Sequence, residues 1–314
     1  MSVALMGSMQ SGFIFAIMAL GVYLTFRILD FPDLTVDGSF TTGGAVAATL
    51  ITAGTAPFLS TIASLGAGVI VGAMTGILHT KGKINPLLSG ILSMIALYTI
   101  NLRIMGKANV PLLGEDTLFT QFDEKWGDYG VLAAVAVIAL LIKFLNDRFL
   151  HTEIGLAIRA TGNNQRMIRS FSTNTDTTII LGLSISNGLV ALSGALYAQY
   201  QGFADVSMGI GMIVIGLASV IIGEAIFGDK TIFRATFAVI GGAIIYRLVV
   251  ALAMRVGLAP SDMKLMTALI VIVALVMPRI SAGFKERKRR AAHAKTRADG
   301  NPSARERSEV KKHA

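Results

Sequence analysis

Apolar positions along this chain fall in long runs, not in the strict alternation of a half-buried strand. A helix that crosses a bilayer needs about 20 mostly apolar residues. A window of that size selects nine segments: Met9 to Arg27, Thr35 to Thr52, Phe58 to Leu78, Leu87 to Met105, Tyr129 to Asn146, Thr178 to Ala198, Gly211 to Phe227, Ile232 to Leu252 and Lys264 to Met277. The pattern predicts an all-α, polytopic transmembrane helical bundle of about nine spans, within a range of eight to ten. Phe31-Pro32-Asp33 and Asp37-Gly38 interrupt the entrance of the second segment. A broken or re-entrant helix fits that segment as well as a straight one.

Composition sharpens this picture. Hydrophobic residues make up 53% of the 314 and charged residues only 15%, against roughly 25% charged in a soluble domain. The mean hydropathy is +0.66. The first run has no basic leader and no clean small-residue cleavage site after it, so it reads as a retained span and not a removed signal. Cysteine is absent and the four histidines, His79, His151, His293 and His313, are scattered. That composition offers no disulfide, no Cys/His metal site and no redox cofactor site, and none is expected.

The net charge of +9 is concentrated in one place. Residues 281–314 carry eleven Lys or Arg against four acids, which divides the chain into a membrane domain, 1–280, and a basic cytoplasmic tail, 281–314. Such a tail suits solvent or anionic lipid headgroups better than nucleic acid. If the spans alternate, Lys81 and Lys83, the arginines of segment 147–177, Lys230 and the tail share one side. The positive-inside rule makes that side cytoplasmic, with the N-terminus outside and the C-terminus inside. The opposite side receives the acidic loop Gly106 to Asp128, where Phe122 and Trp126 could meet a protein partner.

Segment 147–177 is too polar to span and too patterned to be slack. Asn163 is suited to cap a short helix starting at Asn164, on which Met167, Ile168 and Phe171 share one face and Arg166 and Arg169 flank it. Such a helix can lie on the membrane interface or dock in the groove of a soluble partner, and periodicity does not choose between them.

The run Gly155-Leu-Ala-Ile-Arg-Ala-Thr-Gly-Asn-Asn, then Met167-Ile-Arg, then the stretch from Ile180 to Gly202 resembles the permease subunits of ABC importers in the branched-chain amino acid and ribose permease superfamily. Met208 to Glu224 and Phe31 to Phe40 are similar to the same family, so the likeness covers about residues 10–280. Within it the chain is most similar to the amino-acid permeases of tryptophan or tyrosine type. Ser172-Thr173-Asn174 stands where that pattern has Gly-Val/Ile-Asn. The resemblance implies a permease homodimer or a pair of close paralogues, with two cytoplasmic ABC ATPase subunits and a periplasmic or lipoprotein substrate-binding protein. It makes 163–171 the coupling helix that sits on the ATPase.

The chain contains no G-x-x-x-x-G-K-[ST] motif, so ATP hydrolysis is expected from a separate subunit. Polar residues inside spans are the remaining candidates for a pathway or gate. Ser184 and Asn187 lie in a polar stripe on the sixth span, where interhelical hydrogen bonding is the simpler reading. Glu224 is expected to pair with Arg234. Arg247 can either snorkel outward or face a wet path. Gly68, Gly72 and Gly76 are spaced for close helix packing, expected within one chain. An ATP-independent transporter or channel is the alternative function, and a sugar or nucleoside the alternative cargo. The chain offers no paired carboxylates or nucleophile and base for an intramembrane enzyme.

Overall fold

The computed structural model describes residues 2–170 and 174–255, with six further positions: 265, 267, 268, 269, 272 and 276. The chain divides into two compact units, Met1–Ala268 and Leu269–Ala314, and every element below belongs to the first. The helices are α1 (Ser2–Tyr23), α2 (Val36–Thr52), α3 (Pro57–Thr80), α4 (Pro86–Met105), α5 (Thr120–Leu150), α6 (Glu153–Asn163), α7 (Gln165–Ser170), α8 (Thr175–Gln201), α9 (Met212–Phe227) and α10 (Ile232–Arg255). A π-helical turn, Leu24–Ile28, extends α1. Two short strands, β1 (Asn109–Pro111) and β2 (Phe203–Asp205), pair antiparallel with Val110 opposite Ala204. Among the described residues six helices are long and apolar enough to cross a membrane, and α9 is a shorter apolar helix.

Local chemistry sets the helix boundaries. Pro57 and Pro86 open α3 and α4, where a missing N–H costs nothing. The Asn85 side chain accepts from Leu87 N at 3.0 Å, and Asn174 caps α8 through Asp176 N and Thr177 N. Gly106 and Gly202 end α4 and α8 at φ of 65° and 80°, the left-handed conformation that glycine adopts without strain.

Helix α8 is the hub. It packs on α1, α2 and α3, while α2 also touches α4, and α10 packs on α9 and α1. Ile14, Phe15, Met18, Phe40, Val190 and Leu196 form the main core between α1, α2 and α8. In contrast, α4 and α5 each leave an apolar side uncovered, with Leu88, Leu92 and Ile95 on one and Val137, Leu141 and Phe144 on the other. Uncovered apolar helix faces of this kind suit contact with lipid.

The glycine stripe of α3 packs within the chain, as its spacing suggested. A Cβ at Gly72 would overlap the Leu183 carbonyl of α8 and stand 2.7 Å from Ser184 Cα, whereas one at Gly66 would meet nothing within 4 Å. Gly72→Val should therefore cost about 1–3 kcal/mol or more through overpacking against backbone that cannot yield. Gly66→Val should be close to neutral, and thermal unfolding of both variants in detergent distinguishes them.

Three details differ from the sequence expectations. The fifth span is the second part of α5: the helix starts at Thr120 and bends at Gly127, whose φ is 57°. Segment 147–177 contains two helices instead of one, because Thr152 accepts from Gly155 N and starts α6 before Asn163 is reached. Asn163 ends α6, and Asn164 is the residue that caps α7, accepting from Met167 N at 3.1 Å. Phe171 and most of Lys264 to Met277 lie outside the described residues, as does the 281–314 tail.

Candidate functional site

The segment expected as the second span, α2, starts after a break in the helix. After the π turn the chain runs through residues 29–35 with Leu29, Phe31, Asp33 and Thr35 all buried, and helix resumes at Val36. At this break Asp33 faces Asn187, near the midpoint of α8. Asn187 Nδ2 donates to Asp33 Oδ2 at 2.7 Å, and Ser39 Oγ donates to Asn187 Oδ1 at 2.6 Å. Thr35 N donates to the other Asp33 oxygen at 2.9 Å. A second strand of the network joins Thr35 to Thr75 at 3.0 Å and Thr75 to Ser93 at 2.9 Å. Five segments, the 29–35 loop, α2, α3, α4 and α8, are thus tied by side chains buried away from water. Satisfied buried networks of this kind fix one packing arrangement.

A second discontinuity meets the first. The chain between β2 and α9 returns against α2, so that Asp37 Oδ2 accepts from Gly211 N at 2.9 Å and Oδ1 from Ile213 N at 2.8 Å. The carboxylate caps α9, where the helix dipole favours negative charge. Thr41 Oγ1 accepts from Gly209 N at 3.1 Å. Position 209 must be glycine for this approach, since a Cβ there would overlap the Asp37 carbonyl and the Thr41 hydroxyl. Beside this junction lies a cavity of about 440 Å³ between α2, α4 and the β2–α9 loop.

The expected coupling residues lie together at the α6–α7 corner. No residue of α7 is buried, Arg166 and Met167 are exposed, and Ile168 is half-buried. Arg169 turns back instead of outward: its Nε donates to Thr175 Oγ1 at 2.8 Å and its NH2 lies 3.7 Å from Asp176. This arginine braces α7 against the first turn of α8. Helix α6 is better anchored. Thr161 bonds Thr178 at 2.9 Å, and Ile158 packs with Leu29, Phe31, Ile179 and Leu183.

The other predicted residues separate by role. Ser184 donates to Ile180 O within its own helix, while Ser186 and Ser193 donate across to the α1 carbonyls of Gly21 and Ile14, each at 2.7 Å. Arg247 is held on α1: its Nε donates to Ser11 Oγ at 2.9 Å and its guanidinium lies 4.9 Å from the Phe15 ring centre. Glu224 pairs with Arg27 at 3.0 Å and not with Arg234, which turns back to the carbonyl of Phe227 at the end of α9. The π turn carries Arg27 to this point, where it also meets Asp229 at 3.1 Å, and free carbonyls at a helix C-terminus attract Arg234. Outside the helices, burial pushes the Asp205 carboxyl up, but hydrogen bonds from Ser207 and Asn109 outweigh it and hold the group below its ordinary range. Among the described residues no group of three His, Cys, Asp or Glu is arranged to hold a metal ion.

The family described as the permease component of branched-chain amino acid transport systems matches residues 4–276. The chain belongs to this family. It is 44% identical over 278 residues to a tyrosine transport system permease protein of Clostridioides difficile (strain R20291), covering 88% of this chain and 92% of that one. It is 25% identical over 253 residues to a galactofuranose transporter permease of Escherichia coli (strain K12), covering 78% and 71%. A ribose import permease of the same strain is 26% identical over 214 residues, 66% of this chain and 65% of that one. No solved structure matches. The chain is accordingly an ABC importer permease, a multi-pass protein of the inner membrane with the apolar helices that role requires.

In this permease, sequence reasoning singled out Asn187 but not its partner Asp33, nor Asp37. The available signal was two acids at the entrance of an otherwise apolar segment. They were read as helix breakers, although a carboxylate at that depth must also find donors.

Proposed function

We propose that this permease forms a homodimer that carries an amino acid or closely related solute inward. A substrate-binding protein delivers the solute, and two separate ABC ATPase subunits drive the movement. In this reading the N-terminus lies outside and the α6–α7 corner and C-terminus lie in the cytoplasm, which the distribution of basic residues supports. The observation that carries the reading is α7: a capped helix with no buried residue, Met167 exposed at its start, standing on a well-anchored α6. A docking element has this construction, because its exposed apolar groups await a partner while its base is rigid. Amino-acid cargo is favoured over sugar by the tyrosine permease, which shares far more identity with this chain than the sugar permeases do.

Anionic lipid is the expected neighbour of the basic tail. Alternating access would move α7 with the ATPase pair and carry the motion through α6 to the 29–35 loop and α8, where Asp33 and Asn187 meet. Ser184, Asn187, Glu224 and Arg247 are the candidates for path or gate positions.

Co-expression with its partner ABC ATPase tests this reading. The tagged chain should recover that ATPase in detergent, and proteoliposomes of the complex should take up labelled L-tyrosine only with ATP and binding protein. Recovery without the ATPase, with uptake driven by an ion gradient, would assign the chain to the ATP-independent class.

A further inference from the structure

Between α1, α8 and α10 lies another cavity, of about 430 Å³, at the end of α8 away from the α6–α7 corner. Ser8, Ser11, Tyr197, Tyr200, Arg247 and Arg255 line it, and among the described residues no carboxylate does. Ser11 engages the Arg247 guanidinium only through Nε. Among the described residues no acceptor meets its two terminal nitrogens, no acid pairs with it, and the Tyr197 hydroxyl has no hydrogen-bond partner either. These atoms are not sealed in the packing, as the Asn146 amide is; they open on the cavity they line. A cation inside a span is costly unless an anion or a wet path compensates it. A planar guanidinium with its fork open matches two oxygens of a phosphate.

The rim of the cavity is apolar. Met254, part of the lining, is exposed, and so is Leu252 on the adjoining side of α10. Phe237 is exposed about four turns further along that side. An apolar track of this length on the outside of a span suits lipid.

We propose that the cavity holds the phosphate of an anionic phospholipid, with the Arg247 fork and the Tyr197 hydroxyl donating to its oxygens and the acyl chains lying along α10 toward Phe237. A lipid reaches such a site with its tails already in hydrocarbon, whereas a free anion would have to give up water. Arg255 ends α10, and Arg247 lies two turns, about 12 Å, before it. The cationic lining thus leads inward from the helix end, which seats a headgroup between α1 and α10 instead of on the surface. Phosphatidylglycerol, a net anion, fits this lining better than zwitterionic phosphatidylcholine, whose choline would stand beside arginines. The assignment needs a membrane-spanning chain but no particular cargo or direction of transport. It gives Arg247 a lipid-binding role instead of a place in the solute path.

Native mass spectrometry of the purified full-length permease tests the site, with dioleoylphosphatidylglycerol and dioleoylphosphatidylcholine added at equal concentration. One phosphatidylglycerol per chain should be retained with about tenfold higher affinity than phosphatidylcholine. Arg247→Gln should remove that preference. Tyr197→Phe deletes a hydroxyl that bonds nothing in the fold, so it should leave stability intact and weaken phosphatidylglycerol binding about threefold; it keeps the site testable if the arginine variant does not fold. Arg103→Gln, at an exposed arginine of α4, is the control and should change nothing. Millimolar inorganic phosphate should not displace the lipid. Equal retention of the two lipids, undiminished phosphatidylglycerol binding in Arg247→Gln or Tyr197→Phe, or an equal loss in Arg103→Gln would each overturn the assignment. Displacement by inorganic phosphate would overturn it as well, and would return Arg247 to a wet path.

Discussion

Asn187→Leu should destabilise the permease by about 3 kcal/mol or more, although leucine has the same branched outline and the same number of side-chain heavy atoms. The substitution leaves Asp33 Oδ2 without its donor at a site where Asp33 is only 3% exposed. Stranding a buried charge costs far more than the net worth of the bond that satisfied it. Ser39 suffers less, since a helix hydroxyl can turn to the carbonyl four residues back, as Thr42 does here to Gly38 O. The measurement is thermal unfolding in detergent, and the decisive comparison is the double variant with Asp33→Asn. Removing the charge should recover at least ~1 kcal/mol, a coupling of the size expected between contacting groups. Wild-type stability in Asn187→Leu, or no recovery in the double variant, would show that the network does not hold the break in the second span.

The residues explain which parts of this architecture could be read in advance. Long apolar runs with Pro at the start and Gly at the end, as in α4 from Pro86 to Gly106, mark a helix from local information alone. The Gly68, Gly72 and Gly76 stripe also declares a close partner. What it cannot declare is that the partner is α8, because the contact lies more than a hundred residues away. The same holds for charge. Glu224 and Arg234 are close in sequence and look like a pair, yet Arg27 reaches Glu224 from across the fold. The β1–β2 pair was invisible for another reason: three residues per strand carry too little alternation to register. Asn101 illustrates the deepest limit. It reads as one polar residue on an apolar helix, and only the fold shows its Nδ2 donating to the Gly38 carbonyl of α2.

Function separates into a buried part and an exposed part, joined by α6. Gly162 of α6 sits where an added Cβ would overlap the Ile28 carbonyl, so α6 and the end of the first span cannot slide independently. Ile158 shares a buried cluster with Leu29 and Phe31, which lead directly into Asp33. A displacement of α7 therefore has a rigid route to the break in the second span. Packed interiors transmit strain instead of absorbing it.

That route makes Met167→Asp the sharpest test of coupling. Met167 is 46% exposed on a helix with no buried residue, so its replacement should change stability by no more than about 0.5 kcal/mol and leave insertion intact. Its effect on the complex should be large. An aspartate in an apolar groove must be desolvated without a partner, a cost of several kcal/mol, and each 1.4 kcal/mol lowers association tenfold. ATP-driven uptake and its accompanying ATPase stimulation should fall by at least ~100-fold at subunit concentrations where the wild-type complex is full. Arg169→Ala should act differently, since it loosens the brace between α7 and Thr175 without burying a charge. Its complex should still form, with uptake reduced more than ATP hydrolysis. Undiminished uptake in Met167→Asp would remove α7 from the coupling path and leave it as an interfacial helix.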